Sequence, residues 1–118
     1  MRKIYYLSSC TTCKRILGEM SEIDSFELQE IKQNPVTEQQ LAEMFAKTGS
    51  YEKLFNKRAQ LYKSRGLKDQ NLGEEDFKDL ILEHYTFLSR PVMFIDGNIY
   101  VGNSKKVVEE AIQQANKL

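Results

Sequence analysis

Apolar positions recur along the chain in two rhythms, and the switches between them mark out its elements. Lys3 to Leu7 (KIYYL) is aromatic, aliphatic and β-branched, which predicts a short buried strand. After Cys10 and Cys13, the residues Ile16, Leu17 and Met20 fall at helical spacing. The segment SFELQEI alternates Phe26, Leu28 and Ile31 against polar neighbours, predicting a second strand. Asn34-Pro35 breaks the chain. Thr37 followed three positions later by Gln40 has the form of a capping box, so a helix is expected with Leu41, Met44 and Phe45 on one face and Gly49 at its end.

Residues 51–65 carry Tyr51, Leu54, Phe55 and Leu61 among basic residues and predict one helix or two short ones. LKDQNLG is expected to be a loop. EEDFKDLILEH then predicts a helix through Phe77, Leu80, Ile81 and His84, with acids in the first turn where the helix dipole favours them. VMFI and NIYV, joined through Asp96-Gly97, predict a hairpin, because a type I′ turn needs positive φ at both central residues. Ser104 to Leu118 completes the chain as a helix with Val107, Val108, Ala111, Ile112 and Ala115 inward. The order is β-α-β, a helical middle, then β-β-α. An α/β chain is expected, with the two ends of a thioredoxin-like core. Residues 33–87 exceed what that core needs and are expected to form an inserted helical subdomain within one domain spanning 1–118.

Composition narrows the functional classes. The 118 residues are 41% hydrophobic and 29% charged, with 17 basic and 17 acidic side chains that cancel. That balance suits a globular protein and leaves no overall electrostatic footprint for nucleic acid or an anionic membrane. The opening MRKIYYLSSC lacks the run of about seven apolar residues at the heart of a secretion signal. No stretch approaches the roughly eighteen apolar residues of a membrane span. A cytoplasmic location is therefore expected, where a close cysteine pair more often serves catalysis or metal binding than structure.

Cys10 and Cys13 are the only cysteines, and three readings compete: a redox pair, half of a metal site, or two packed thiols. Zinc wants four ligands, and the remaining candidates are His84 and carboxylates, with no second cysteine pair and no second histidine. A strand-to-helix turn favours the redox reading. There the unpaired N–H groups of the first helical turn meet, and such positions lower a thiol from ~8.5 into the range ~3.5–7.5. Lys14 and Arg15 add positive charge nearby. Cys10 would attack as the thiolate, and Cys13, one turn on, would resolve the mixed disulfide. His84 reads better as a helix-end residue facing its own C-terminal dipole than as a catalytic base. Arg90 precedes Pro91, a proline expected to be cis. It reads either as a turn residue or, preferably, as a donor fork for a thiolate or oxyanion beside the cysteines.

Several segments in order carry a family resemblance. These are the strand ending in Ser9-Cys10, Gly49 after the first inserted helix, LFNKR ending at Arg58, Arg90-Pro91, and VGNSKKVVEEAI. With them the chain resembles the arsenate reductase (ArsC)/Spx family over nearly its full length. The resemblance implies a nucleophile at Cys10 and oxyanion-binding arginines at Arg58 and Arg90. A third family arginine is replaced here within Val101-Gly102-Asn103-Ser104, making Asn103 the candidate substrate contact. Tyr6 stands where glutaredoxin-coupled reductases carry histidine, and Cys13 where they usually carry serine. On the enzymatic side the resemblance implies a small thiol or oxyanion substrate, with glutathione or glutaredoxin as electron donor and no bound cofactor. On the Spx side it implies a redox switch that binds the C-terminal domain of the RNA polymerase α subunit, with Gly49 at the contact. No metal, membrane or direct nucleic-acid partner is expected on either side.

Overall fold

A computed structural model describes residues 1–117, which form two compact units, one of residues 1–34 with 90–117 and one of residues 35–89. Leu118, the expected last residue of the closing helix, lies outside the described residues.

The first unit holds a four-stranded sheet of β1 (Arg2–Tyr6), β2 (Glu27–Glu30), β3 (Val92–Ile95) and β4 (Asn98–Val101), in the order β2-β1-β3-β4. β1 runs parallel to β2 and antiparallel to β3, and β3 and β4 form an antiparallel hairpin. The hairpin turn has φ +51° at Asp96 and +94° at Gly97, the two positive values a type I′ turn requires. α1 (Thr11–Gly18) follows β1, and α5 (Lys105–Ala115) closes the unit behind a Ser104 cap. Ile4, Ile16, Met93, Ile95 and Ala111 pack together as the centre of its core. This is a mixed α/β, thioredoxin-like arrangement.

β2 departs from the alternation expected of it. Phe26 and Ile31 are buried, but Leu28 is 44% exposed. The strand order gives the reason: β2 is an edge strand, and residue 28 sits opposite Ile4 at the sheet margin. Another tie is invisible to periodicity. The Arg2 guanidinium pairs with Asp96 at 2.8 Å and donates to the Ala115 carbonyl at 2.9 Å, joining β1, the hairpin turn and the end of α5.

The second unit comprises α2 (Glu38–Thr48), α3 (Gln60–Ser64) and α4 (Glu74–Glu83), with single 3-10 turns at Glu52–Leu54, Leu67–Asp69 and Tyr85–Phe87. The capping box at Thr37 and Gln40 is formed, and Gly49 ends α2 at φ +72°. Residues 51–65 are broken rather than one helix, because the Asn56 N–H bonds to the Phe87 carbonyl at 2.8 Å and Phe55 pairs with Leu88. Phe55 stacks on Phe87, with ring centres 5.2 Å apart, and packs against Phe77. His84 caps the C-terminus of α4, but its ring turns forward: Nδ1 accepts the Thr86 N–H at 3.2 Å instead of serving the carbonyls of its own helix. Among the described residues no helix is long and apolar enough to cross a membrane.

Candidate active site

Three of the residues singled out in the sequence meet in the first unit. The chain leaves β1 at Tyr6, turns through Leu7, Ser8 and Ser9, and enters α1 at Cys10, which is the N-cap residue with extended backbone (φ −89°, ψ 111°). The Cys10 N–H donates to the Leu7 carbonyl at 3.0 Å, which closes the turn. Its sulfur takes the place of the usual capping oxygen and accepts the Cys13 N–H at 3.4 Å. The 3.4 Å separation suits a large, weakly accepting sulfur atom.

The two thiols occupy different surroundings. Cys10 is partly exposed, whereas Cys13 is fully buried, and both are free. Burial pushes the Cys10 thiol up, but the Cys13 backbone N–H, the Cys13 side chain and the positive charge of Arg90 together hold it below its ordinary value. Cys13 ends up shifted the other way: burial pushes it up to about 11; a hydrogen bond from the Leu7 backbone and the charge of Arg90 partly oppose this, while proximity to the Cys10 sulfur adds to it. The backbone of Leu7 thus serves both cysteines, its carbonyl fixing Cys10 and its N–H facing Cys13.

Arg90 precedes Pro91 through a cis peptide, as expected, and its positive charge acts on the Cys10 sulfur. Nε and Nη1 of Arg90 are buried without a hydrogen-bond partner among the described residues. Buried guanidinium donors left unpaired are costly, and a thiolate or an incoming anion beside them reduces that cost. Asn103 is exposed in the loop between β4 and α5. Arg58 is exposed in the second unit, its backbone N–H bonded to the Asn56 side chain at 3.0 Å. The direct contacts at the sulfur therefore run among Cys10, Cys13 and Arg90.

One contributor was missed by reading the sequence. Glu30, at the end of β2, accepts the Ser8 N–H at 2.8 Å on one carboxylate oxygen, and the Lys32 and Gln33 N–H groups at 2.9 and 2.7 Å on the other. The only signal for it was an acid at the end of a predicted strand, ahead of the Asn34-Pro35 break.

The model of the ArsC family matches residues 5–111, a span that includes the turn, both cysteines and Arg90. The chain belongs to the ArsC family. Solved structures share its architecture. A Staphylococcus aureus protein is 28% identical, with a TM-score of 0.74 over 93% of this chain and 97% of its own. An ArsC-family-related protein of Bacteroides fragilis reaches a TM-score of 0.77 at 19% identity, over 92% of this ArsC-family chain and 95% of the other. An arsenate reductase from Vibrio cholerae reaches 0.72 at 19% identity, over 96% of both chains. No curated protein sequence matches.

Proposed function

We propose that this ArsC-family chain is a thiol–disulfide oxidoreductase with Cys10 as nucleophile, Cys13 as resolving thiol and Arg90 as the residue that stabilises sulfur anions. The observation that carries this reading is the asymmetry of the two thiols. The accessible one is held toward its thiolate at the head of α1, and the buried one is held as a thiol directly behind it. That division of labour matches the two steps of disulfide exchange. The Cys10 thiolate attacks one sulfur of a substrate disulfide, an S–S bond forms to Cys10, and the other substrate sulfur leaves as a thiolate. Cys13 then gives up its proton to that leaving thiolate or to water and attacks the Cys10 sulfur. The bound substrate thiolate departs, so the two electrons have passed to the two substrate thiols and the protein is left oxidised as a Cys10–Cys13 disulfide. Glutathione or glutaredoxin returns the pair to the dithiol.

A mixed disulfide with glutathione is the preferred substrate class, ahead of arsenate. A multiply charged oxyanion needs several donors around one point. This chain presents Asn103, a neutral donor, where arsenate-reducing relatives carry an arginine. The test is a glutathione-coupled assay following NADPH oxidation, with a small glutathione mixed disulfide and with arsenate. Turnover of the mixed disulfide, weak or no turnover of arsenate, and loss of activity in Cys10→Ser are expected. Absence of mixed-disulfide turnover together with efficient arsenate turnover would overturn the preference. Equal activity of wild type and Cys10→Ser would overturn the reading as a whole.

A further inference from the structure

The turn that presents Cys10 is short and exposed. Ser8 and Ser9 are exposed, and within the turn the Cys10 N–H to Leu7 carbonyl bond is its own backbone closure. Its other described anchor comes from a different strand. Glu30 lies beside Tyr6 in the parallel pairing of β1 with β2, so its carboxylate sits at the same end of the sheet as the start of the turn. One oxygen receives the Ser8 N–H, and the other receives the N–H groups of Lys32 and Gln33. Each oxygen is thus committed to one of two turns, and the carboxylate bridges them. Burial raises the Glu30 carboxyl, but the donors at Ser8, Gln33 and Lys32 outweigh it and keep the group ionised at neutral pH.

We propose that Glu30 is a positioning residue for Cys10, its carboxylate fixing Ser8 so that the Cys10 sulfur stays over the Cys13 N–H and beside Arg90. The proposal rests on the reading of Cys10 as the nucleophile and adds a residue to it that touches neither thiol. The physical reason is the weakness of what Glu30 supports. A sulfur cap at 3.4 Å is a poor restraint by itself, so the position of the sulfur depends on the backbone leading into it. When Ser8 is released, Cys10 samples orientations in which its sulfur lies away from the helix donors, and the thiolate loses their stabilisation.

Glu30→Gln keeps the size of the side chain but has a single acceptor oxygen, so one turn then faces an amide N–H₂ with its own N–H. Glu30→Ala removes both halves of the bridge. The experiment measures the rate of Cys10 alkylation by iodoacetamide from about pH 5 to about pH 10, located by peptide mass, in wild type, both Glu30 variants and Thr37→Ala. Thr37→Ala weakens a helix cap of the second unit and reports what destabilisation alone does. In Glu30→Ala the midpoint of the profile is expected to move upward, with Cys10 alkylated about fivefold more slowly near pH 6 and at an unchanged rate on the alkaline plateau. Glu30→Gln should show the same or a smaller movement, and Thr37→Ala none. A wild-type midpoint below that of an ordinary thiol, unchanged in folded Glu30→Ala and Glu30→Gln, would overturn the role of Glu30 and leave Cys10 as nucleophile. A wild-type midpoint no lower than an ordinary thiol would overturn the nucleophile assignment, and the Glu30 proposal with it.

Discussion

Two helices of this protein begin in opposite ways. α2 starts with Thr37, whose hydroxyl accepts the Gln40 N–H at 3.1 Å while the Gln40 side chain accepts the Thr37 N–H at 3.1 Å, and Glu38 adds an acid in the first turn. Two of the N–H groups at its start are taken by oxygen acceptors and its dipole is met by a fixed negative charge. α1 starts with Cys10, whose sulfur accepts one N–H at 3.4 Å, with no acid in the first turn and no reciprocal side chain. Thr11 and Thr12 are neutral, so the positive end of α1 has no fixed countercharge of its own in that turn. A helix start that is under-satisfied in this way stabilises a thiolate when one forms; a helix start closed by a capping box stabilises the helix. The same backbone geometry ends in a weak sulfur acceptor at residue 10 and in a reciprocal oxygen cap at residue 37.

Exchanging the capping atoms separates these two uses. Cys10→Ser supplies α1 with a better capping oxygen, so melting should be unchanged or slightly higher. Thiol chemistry should fall at least about a thousandfold, as losing a nucleophile does. A melting scan beside the coupled assay checks both arms. Arg90→Ala comes next: it removes a charged donor from a water-poor site and should slow the reaction of Cys10 by about a hundredfold. Melting should change little, because two of the lost nitrogens are buried and unpaired. Retained Cys10 reactivity in that variant would remove Arg90 from the site.

A third prediction concerns pH. Because Cys13 is raised, the unfolded chain loses that proton before the folded one does. Its contribution to stability is full below the ordinary thiol range and is lost as pH rises toward about 11. Urea titrations across that range should show wild type losing on the order of 2 kcal/mol more than Cys13→Ala. Identical pH dependence in the two proteins would contradict the buried, protonated state of Cys13. Smallest is Thr37→Ala, which should cost about 1 kcal/mol of stability and leave the chemistry of Cys10 untouched.

What could be read from the sequence was what local physics fixes. The hairpin at Asp96-Gly97, the capping box at Thr37 and the placing of Cys10 at a strand-to-helix turn each depend on a few neighbouring residues, and each is found. Leu28 could not be placed from alternation alone, because its exposure depends on β2 standing at the sheet edge. His84 turned forward because Thr86, two residues on, offered a nearer partner than the helix carbonyls. Glu30 was hidden for a different reason. Its partners are backbone N–H groups from turns more than twenty residues apart in sequence, and backbone donors leave no trace in side-chain pattern.

Within three residues at the head of α1, the fold drives two identical thiols in opposite directions. The direct measurement is an NMR titration of protein labelled with ¹³C at the cysteine β-carbons, reduced throughout, with each signal assigned by Cys10→Ser and Cys13→Ser. Two separated transitions are expected, Cys10 ionising below an ordinary thiol and Cys13 above it, near 11. Two thiols titrating together near the ordinary value, or Cys13 ionising first, would contradict that opposition.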